Sequence, residues 1–269
     1  MNLDLKENQI SRFGLDINSK EFIEILKLLQ NNKKIKLLGI HCHLPHRDLK
    51  SFKIRIKKML EIYNQYFIDK IEYIDIGGGF PSKLDKALAK QLNIEVKEQF
   101  TYAKIICNEL NVYFQDKEVK NLPKLILEPG TAIVADTLNF FTKIIAKKTI
   151  RGKTILQTSG SKFNFMGLST KHIDFSFKEY YMDDSKGRTL KTCDVGGYTC
   201  IESDYILKNI KSKLDVGDYI CIENVGSYSI VMKPPFILPN SPIIEYHEKK
   251  INYIKRKETF EDIFNTYKF

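Results

Sequence analysis

The sequence predicts an α/β protein: a partial (β/α) barrel of parallel strands over residues 1–133, a mostly β domain over 134–257, and a closing helix over 258–269. Three observations predict it. In the first half, short apolar runs alternate with longer stretches of helical apolar spacing, the rhythm of right-handed βαβ units. Successive apolar runs end in histidine, glycine or glutamate, as strands do when their carboxyl ends build a site. Beyond about Val134 the segments become short and β-branched or aromatic, with turn signals between them.

Taken in order, residues 3–5 read as the remnant of an earlier strand and 20–30 as the helix that follows it. Residues 37–43 form the next strand. Residues 48–67 carry Phe52, Ile56, Met59, Leu60 and Tyr63 at helical spacing. A strand over 71–76 is stopped by Gly77-Gly78-Gly79, a helix covers 94–110, and a strand over 124–127 runs into Glu128-Pro129-Gly130. In the second half, 153–157, 190–199, 218–222 and 228–232 read as β segments, with turns at Arg151-Gly152 and Val216-Gly217-Asp218. The closing helix presents Phe260, Ile263 and Phe264 on one face. No internal repeat or low-complexity tract interrupts the chain.

The 269 residues are 43% hydrophobic and 28% charged, enough for one large domain or two modest ones. The formal charge of +10 is carried by lysines scattered along amphipathic stretches such as Lys50–Lys58, which read as a solvated surface that also attracts anionic ligands. A nucleic-acid partner has only that charge in its favour. Cys42, Cys107, Cys193, Cys200 and Cys221 are odd in number and form no CxxC pair, as expected of reduced thiols. No apolar run approaches the ~20 residues of a membrane span, and residues 1–6 lack a signal-peptide core, so a cytoplasmic location and no membrane partner are expected.

The chemistry lies at three strand ends. In His41-Cys42-His43-Leu44-Pro45-His46, the strand period puts His41 and His43 on one side and Cys42 on the other. A zinc or iron site, an imidazole stacked on a flat cofactor, and a hydrogen-bonded core pair all remain open. The Gly77-Gly78-Gly79 run after Asp75-Ile76 lets backbone N–H groups approach an anion closely, phosphate above all; a tight strand-to-helix turn is the structural alternative. Glu128 at the third end can be a general base, a metal ligand, a partner for a protonated ring nitrogen, or a salt-bridged or capping carboxylate.

Together these blocks resemble the ornithine/diaminopimelate/arginine decarboxylases, the fold type III enzymes that use pyridoxal 5′-phosphate. The likeness runs through Ser11-Arg12-Phe13-Gly14, Gly39-Ile40-His41-Cys42-His43, Asp75-Ile76-Gly77-Gly78-Gly79, Glu128-Pro129-Gly130, Tyr198-Thr199-Cys200 and Glu223-Asn224-Val225-Gly226-Ser227-Tyr228, in family order across nearly the whole chain. The resemblance implies an alanine-racemase-like, TIM-like barrel, of which this chain holds about the last four strands. It implies that His43 stacks on the cofactor ring, that Gly77, Gly78 and Gly79 wrap the phosphate, that Gly130 belongs to the cofactor-binding set, that Glu128 pairs with the pyridine nitrogen, and that Tyr228 reaches the phosphate from the β domain. It places Cys200 as the acid delivered across a homodimer interface, with Arg12 and Asp204 at subunit-bridging positions.

The departures from the family pattern shape the functional expectation. The family's cofactor lysine lies on the first barrel strand, upstream of the Ser11 block, so about four of the roughly eight strands that close a barrel are expected outside this chain. The expected partner is a second copy or a chain carrying the other half barrel. Ile201 stands where diaminopimelate- and ornithine-cleaving relatives carry a substrate-binding acid, and Glu202 is the candidate replacement. Thr131 stands for the usual arginine after Glu-Pro-Gly, and Pro45-His46 for the usual Gly-Ser. The expected function is amino-acid decarboxylation; the alternative is a non-catalytic fragment or pseudoenzyme that pairs with an intact decarboxylase. A metal enzyme using His41, His43 and His46 is the least favoured reading.

Overall fold

The computed structural model describes residues 11–82, 86–91, 97–166, 173–183 and 187–268. In chain order these form α1 (Lys20–Asn31), β1 (Gly39–His41), α2 (Leu49–Ile62), β2 (Tyr73–Asp75), α3 (Lys86–Gln91), α4 (Gln99–Phe114), β3 (Lys124–Ile126) and α5 (Gly130–Val134). There follow β4 (Phe140–Ile150), β5 (Lys153–Thr158), β6 (Phe177–Tyr180), β7 (Lys191–Gly196), β8 (Tyr205–Ser212), β9 (Tyr219–Ile222), α6 (Ser229–Met232), β10 (Ile243–His247), β11 (Lys250–Lys255) and α7 (Phe260–Phe264). The chain divides into two compact units: Met1–Pro81 with Ile94–Ala132, and Ser82–Asn93 with Ile133–Phe269.

In the first unit, side-chain caps start the helices. Ser19 Oγ accepts from Phe22 N–H at 3.1 Å to begin α1, and Asp48 Oδ1 accepts from Ser51 N–H at 2.9 Å to begin α2. The apolar stripe of α2 then buries Phe52, Ile56, Met59 and Leu60, and the helical pattern continues through a wider π turn, Tyr63–Phe67. Tyr102 and Ile106 of α4 meet that stripe in the core, where each large side chain removed from water contributes about 1.5–3 kcal/mol. α4 begins at Gln99 and runs to Phe114, displaced from the expected 94–110; residues 94–96 of that expectation lie outside the described residues, as does the expected strand 3–5.

The sheet of this unit is parallel, in the order β1-β2-β3. His41 pairs with Asp75 and Asp75 with Ile126, so the three strands end level. That register delivers residues 42–46, 76–79 and 127–130 to one edge. Leu125 packs on the core side, whereas the neighbouring Ile126 and Leu127 stay 38% and 41% exposed, so β3 is covered on one side only.

The second unit is built on a six-stranded sheet, β6-β9-β4-β5-β7-β8, with only the β5–β7 pair parallel. β4 pairs with β9 through Phe140–Lys143 and with β5 through Ile144–Ile150. Ile144, Leu156, Val195, Ile206 and Ile220 form its core. Arg151 and Gly152, at φ 51° and 80°, make the β4–β5 turn, the left-handed pair a tight hairpin demands. β10 and β11 form a separate two-stranded hairpin.

Two β-half expectations are corrected. Residues 228–232 are a helical turn, not a strand: Tyr228 takes the left-handed conformation at φ 62°, and its carbonyl accepts from Met232 N–H at 3.0 Å. The Ser229 hydroxyl donates to the carbonyls of Val225 and Phe165, which fixes the reversal. The closing helix is shorter than expected, Phe260–Phe264, and is started by a capping box between Thr259 and Asp262.

Candidate functional site

The level strand ends of the first unit gather the residues the sequence singles out there. Glu128 Oε2 lies 3.3 Å from His41 Nε2 and 3.8 Å from His43 Nδ1, with all three side chains about half exposed. Gly78 N–H donates to His43 Nδ1 at 3.2 Å, and Gly77 N–H donates to Asp75 Oδ1 at 2.8 Å. Glu128 N–H donates to the Gly77 carbonyl at 3.1 Å, and Gly130 N–H to the Glu128 carbonyl at 2.9 Å. The His43 imidazole, the glycine turn and the Glu128 backbone are therefore one hydrogen-bonded cluster, with the Glu128 carboxylate within 3.8 Å of both imidazoles. The turn requires glycine: a β-carbon at Gly77 would come within 2.7 Å of the Cys42 carbonyl oxygen, and one at Gly78 within 2.3 Å of the Glu128 carbonyl oxygen.

Sequence reasoning missed Arg55. It is fully buried on α2, and its guanidinium donates to the carbonyls of Ile76 (2.7 Å), Gly78 (2.8 Å), His46 (3.0 Å) and Leu44 (3.3 Å). It ties the glycine turn to the loop after His43 and stacks over the Phe52 ring at 4.2 Å. Burial lowers the Arg55 pKa from its ordinary value. The available signal was positional: residue 55 lies three after Phe52 and four before Met59, inside the apolar stripe rather than on the lysine-rich face.

His41, His43 and Glu128 offer ligand atoms within 4.8 Å of one another, a group that could hold a metal ion. His46 is not part of it. Because His43 Nδ1 already accepts a backbone hydrogen bond, His43 would have to ligate through Nε2.

The remaining candidates are in the second unit, except Arg12, which is exposed in the first with its guanidinium 3.9 Å from the Phe13 ring centroid. Cys200 and Glu202 are exposed on the turn after β7. Cys200 is thus not a core thiol. Asp204 is buried beneath that turn, where its carboxylate accepts from Thr199 Oγ1 (2.7 Å), Ser161 Oγ (2.9 Å), Thr199 N–H (3.0 Å) and Lys162 N–H (3.1 Å). Its observed work is to shape the Cys200 turn. Tyr228 projects, 62% exposed, from the strained reversal after Gly226, where a β-carbon would lie 1.8 Å from the Val134 carbonyl oxygen.

Residues 4–135 match the family of pyridoxal-dependent decarboxylases, pyridoxal binding domain. Over that stretch, just under half of the chain, it is similar to that family. Among its relatives is the diaminopimelate decarboxylase of Helicobacter pylori, 27% identical over 97% of this chain and 60% of the relative. The fold agrees with the M. jannaschii diaminopimelate decarboxylase at a TM-score of 0.79 and 22% identity, over 95% of this chain and 57% of that one. It also agrees with the H. pylori diaminopimelate decarboxylase complexed with L-lysine at 0.74 and 24%, over 92% and 58%. The chain therefore spans about 60% of the length of the relatives it matches. The site fits pyridoxal phosphate on its own chemistry: a glycine turn with no room for side chains, an imidazole beside it, and a carboxylate suited to a protonated ring nitrogen. Among the described residues, no helix is long and apolar enough to cross a membrane.

Proposed function

We propose that this chain supplies the ring- and phosphate-binding part of a pyridoxal-phosphate amino-acid decarboxylase, the remaining barrel strands and the cofactor lysine coming from the same or another polypeptide. The observation that carries the reading is the hydrogen-bonded cluster of His43, the Gly77–Gly79 turn and Glu128 at one strand-end edge. When bound, the cofactor supplies an electron sink for the pair left at the substrate α-carbon as carbon dioxide departs.

The chain's own residues orient and protonate. Glu128 accepts a hydrogen bond from the protonated ring nitrogen and keeps it charged, with His41 alongside to hold the carboxylate in place. His43, its plane fixed by Gly78 N–H, covers one ring face. Cys200, exposed on a turn braced by Asp204, delivers a proton from Sγ to the α-carbon; Tyr228 contributes its hydroxyl to the phosphate. A second copy is the proposed source of Cys200, with Arg12 and the Asp204-braced turn at the subunit boundary. Glu202, two residues past Cys200, is the proposed contact for a distal substrate amine, which favours a diamino acid of the diaminopimelate class.

The test is to purify the chain alone and together with a polypeptide carrying the complementary lysine-bearing half barrel. Carbon dioxide release from diaminopimelate, ornithine and arginine is then measured, together with cofactor absorbance. The reading expects activity only with both parts and loss of it in Cys200→Ser. Cofactor bound by the pair without any carbon dioxide release would establish the pseudoenzyme instead. A pair that binds no cofactor overturns the reading altogether.

A further inference from the structure

The four carbonyls that Arg55 holds have a consequence on the other side of their peptide planes. A trans peptide points its N–H opposite to its C=O. The peptide whose carbonyl is Gly78 carries the N–H of Gly79, and the peptide whose carbonyl is His46 carries the N–H of Arg47. Neither N–H has a hydrogen-bond partner among the described residues. Both belong to peptides polarised by a buried cation, and both point away from it.

The two peptides are neighbours. A β-carbon built on Gly79, whose φ is +94°, would lie 3.6 Å from Arg47 Cγ and 3.8 Å from the His46 carbonyl oxygen. The Arg47 side chain thus runs along the glycine turn. It is half-buried, and its guanidinium has no hydrogen bond or ion pair among the described residues. The nearby carboxylates are committed elsewhere: Asp75 to Gly77 N–H, and Asp48 to the first turn of α2. Arg55 itself has only neutral acceptors and no carboxylate within salt-bridge distance among the described residues.

We propose that Arg47, together with the outward N–H groups of residues 47 and 79, is the grip for a phosphate monoester, and that Arg55 is the positioning residue that aims and polarises those two peptides. An arginine fork and two backbone donors match the three oxygens of a phosphate dianion. The assignment places a cation at the glycine turn in a chain that carries Thr131, not arginine, after Glu128-Pro129-Gly130. It rests on the pyridoxal-phosphate reading and adds to it the residue that distinguishes the phosphorylated ligand from the bare ring.

The test uses the full chain with pyridoxine 5′-phosphate and pyridoxine, which lack the aldehyde that would label surface lysines. Binding is followed by calorimetry, and the bound phosphate by its phosphorus resonance. The wild-type chain is expected to prefer the phosphorylated ligand by about tenfold or more. Arg47→Gln should erase that preference and the resonance shift while leaving pyridoxine affinity unchanged; Arg47→Lys should restore part of both. Arg55→Met should reduce the preference with Arg47 intact, and Arg55→Lys should recover some of it. Should the Arg55 variants fail to fold, Arg47→Gln decides alone. A preference that survives Arg47→Gln overturns the proposal, as does a wild-type chain that binds both ligands equally; in the latter case the ring site stands. Where the chain alone binds neither ligand, the same comparison is read on its pair with the complementary half barrel, and a pair that binds neither sinks the proposal and the cofactor reading together.

Discussion

Gly78 N–H donates to His43 Nδ1 at 3.2 Å, so the imidazole expected to face the cofactor ring is held by the turn expected to face its phosphate. The bond makes Nδ1 an acceptor and puts the proton of a neutral His43 on Nε2. Ring contact and anion contact are thereby set by a single loop conformation, and a change in one moves the other.

Gly78→Ala should therefore disrupt more than a turn. Its β-carbon would overlap the Glu128 carbonyl oxygen, at 2.3 Å, forcing the glycine turn from the third strand end. The expected loss is about 1–3 kcal/mol in urea unfolding, with loss of pyridoxine phosphate binding. Unchanged stability would show that the two strand ends are not in contact.

Asp204→Ala should loosen the Cys200 turn. It removes a buried acceptor of four hydrogen bonds, leaving the Thr199 and Ser161 hydroxyls and two backbone N–H groups without it. A stability loss of about 2–4 kcal/mol is expected, with Asp204→Asn costing less because the amide keeps one acceptor oxygen. Amide exchange over residues 197–204 should accelerate in both; exchange rates unchanged in Asp204→Ala would sink the idea.

Acid should remove a contribution made by Asp218. Burial works to raise its pKa, but hydrogen bonds from Arg188 and from the Met182 and Asp215 N–H groups outweigh it and leave the carboxyl below its ordinary value. A depressed carboxylate stabilises the fold above its unfolded pKa, and that contribution is lost as pH falls through the folded one. At neutral pH, Asp218→Asn should be less stable by about 3 kcal/mol, since it takes the buried carboxylate away from its bidentate pair with Arg188. The gap should narrow on acidification below the usual carboxylate range. A gap independent of pH would falsify this account.

Thiol labelling should sort the five cysteines. Cys107 and Cys200 are exposed, Cys42 is half-buried, and Cys193 and Cys221 are buried. Burial pushes the thiols of Cys42 and Cys193 up, and that of Cys221 up to about 11. Iodoacetamide at mildly alkaline pH should modify Cys107 and Cys200 first, with Cys193 and Cys221 reacting only on unfolding. Peptide mass spectrometry reads the order, and early modification of Cys221 would contradict the packing.

The strand ends were legible because each apolar run stops at a residue type that could not continue it inside a core. His43, Gly77 and Glu128, each two residues past the aligned trio His41, Asp75 and Ile126, then fall level because the sheet is parallel and in register. Arg55 was not legible: in a helix with Lys50, Lys53, Lys57 and Lys58, a basic residue reads as solvated, and its partners are carbonyls that any sequence supplies. The 228–232 segment misled because four apolar or small residues fit a strand as well as a helical turn; the left-handed Tyr228 decided it. The β10–β11 hairpin escaped because it is exposed on both faces, so no burial pattern marks its period.

β4 belongs to both halves of its sheet, first through β9 and then through β5. A shared member leaves no seam: releasing either half means giving up pairing that the other half depends on. The six-stranded sheet should hence melt as one cooperative block, its slowest amides exchanging together, while the separate hairpin frays on its own schedule.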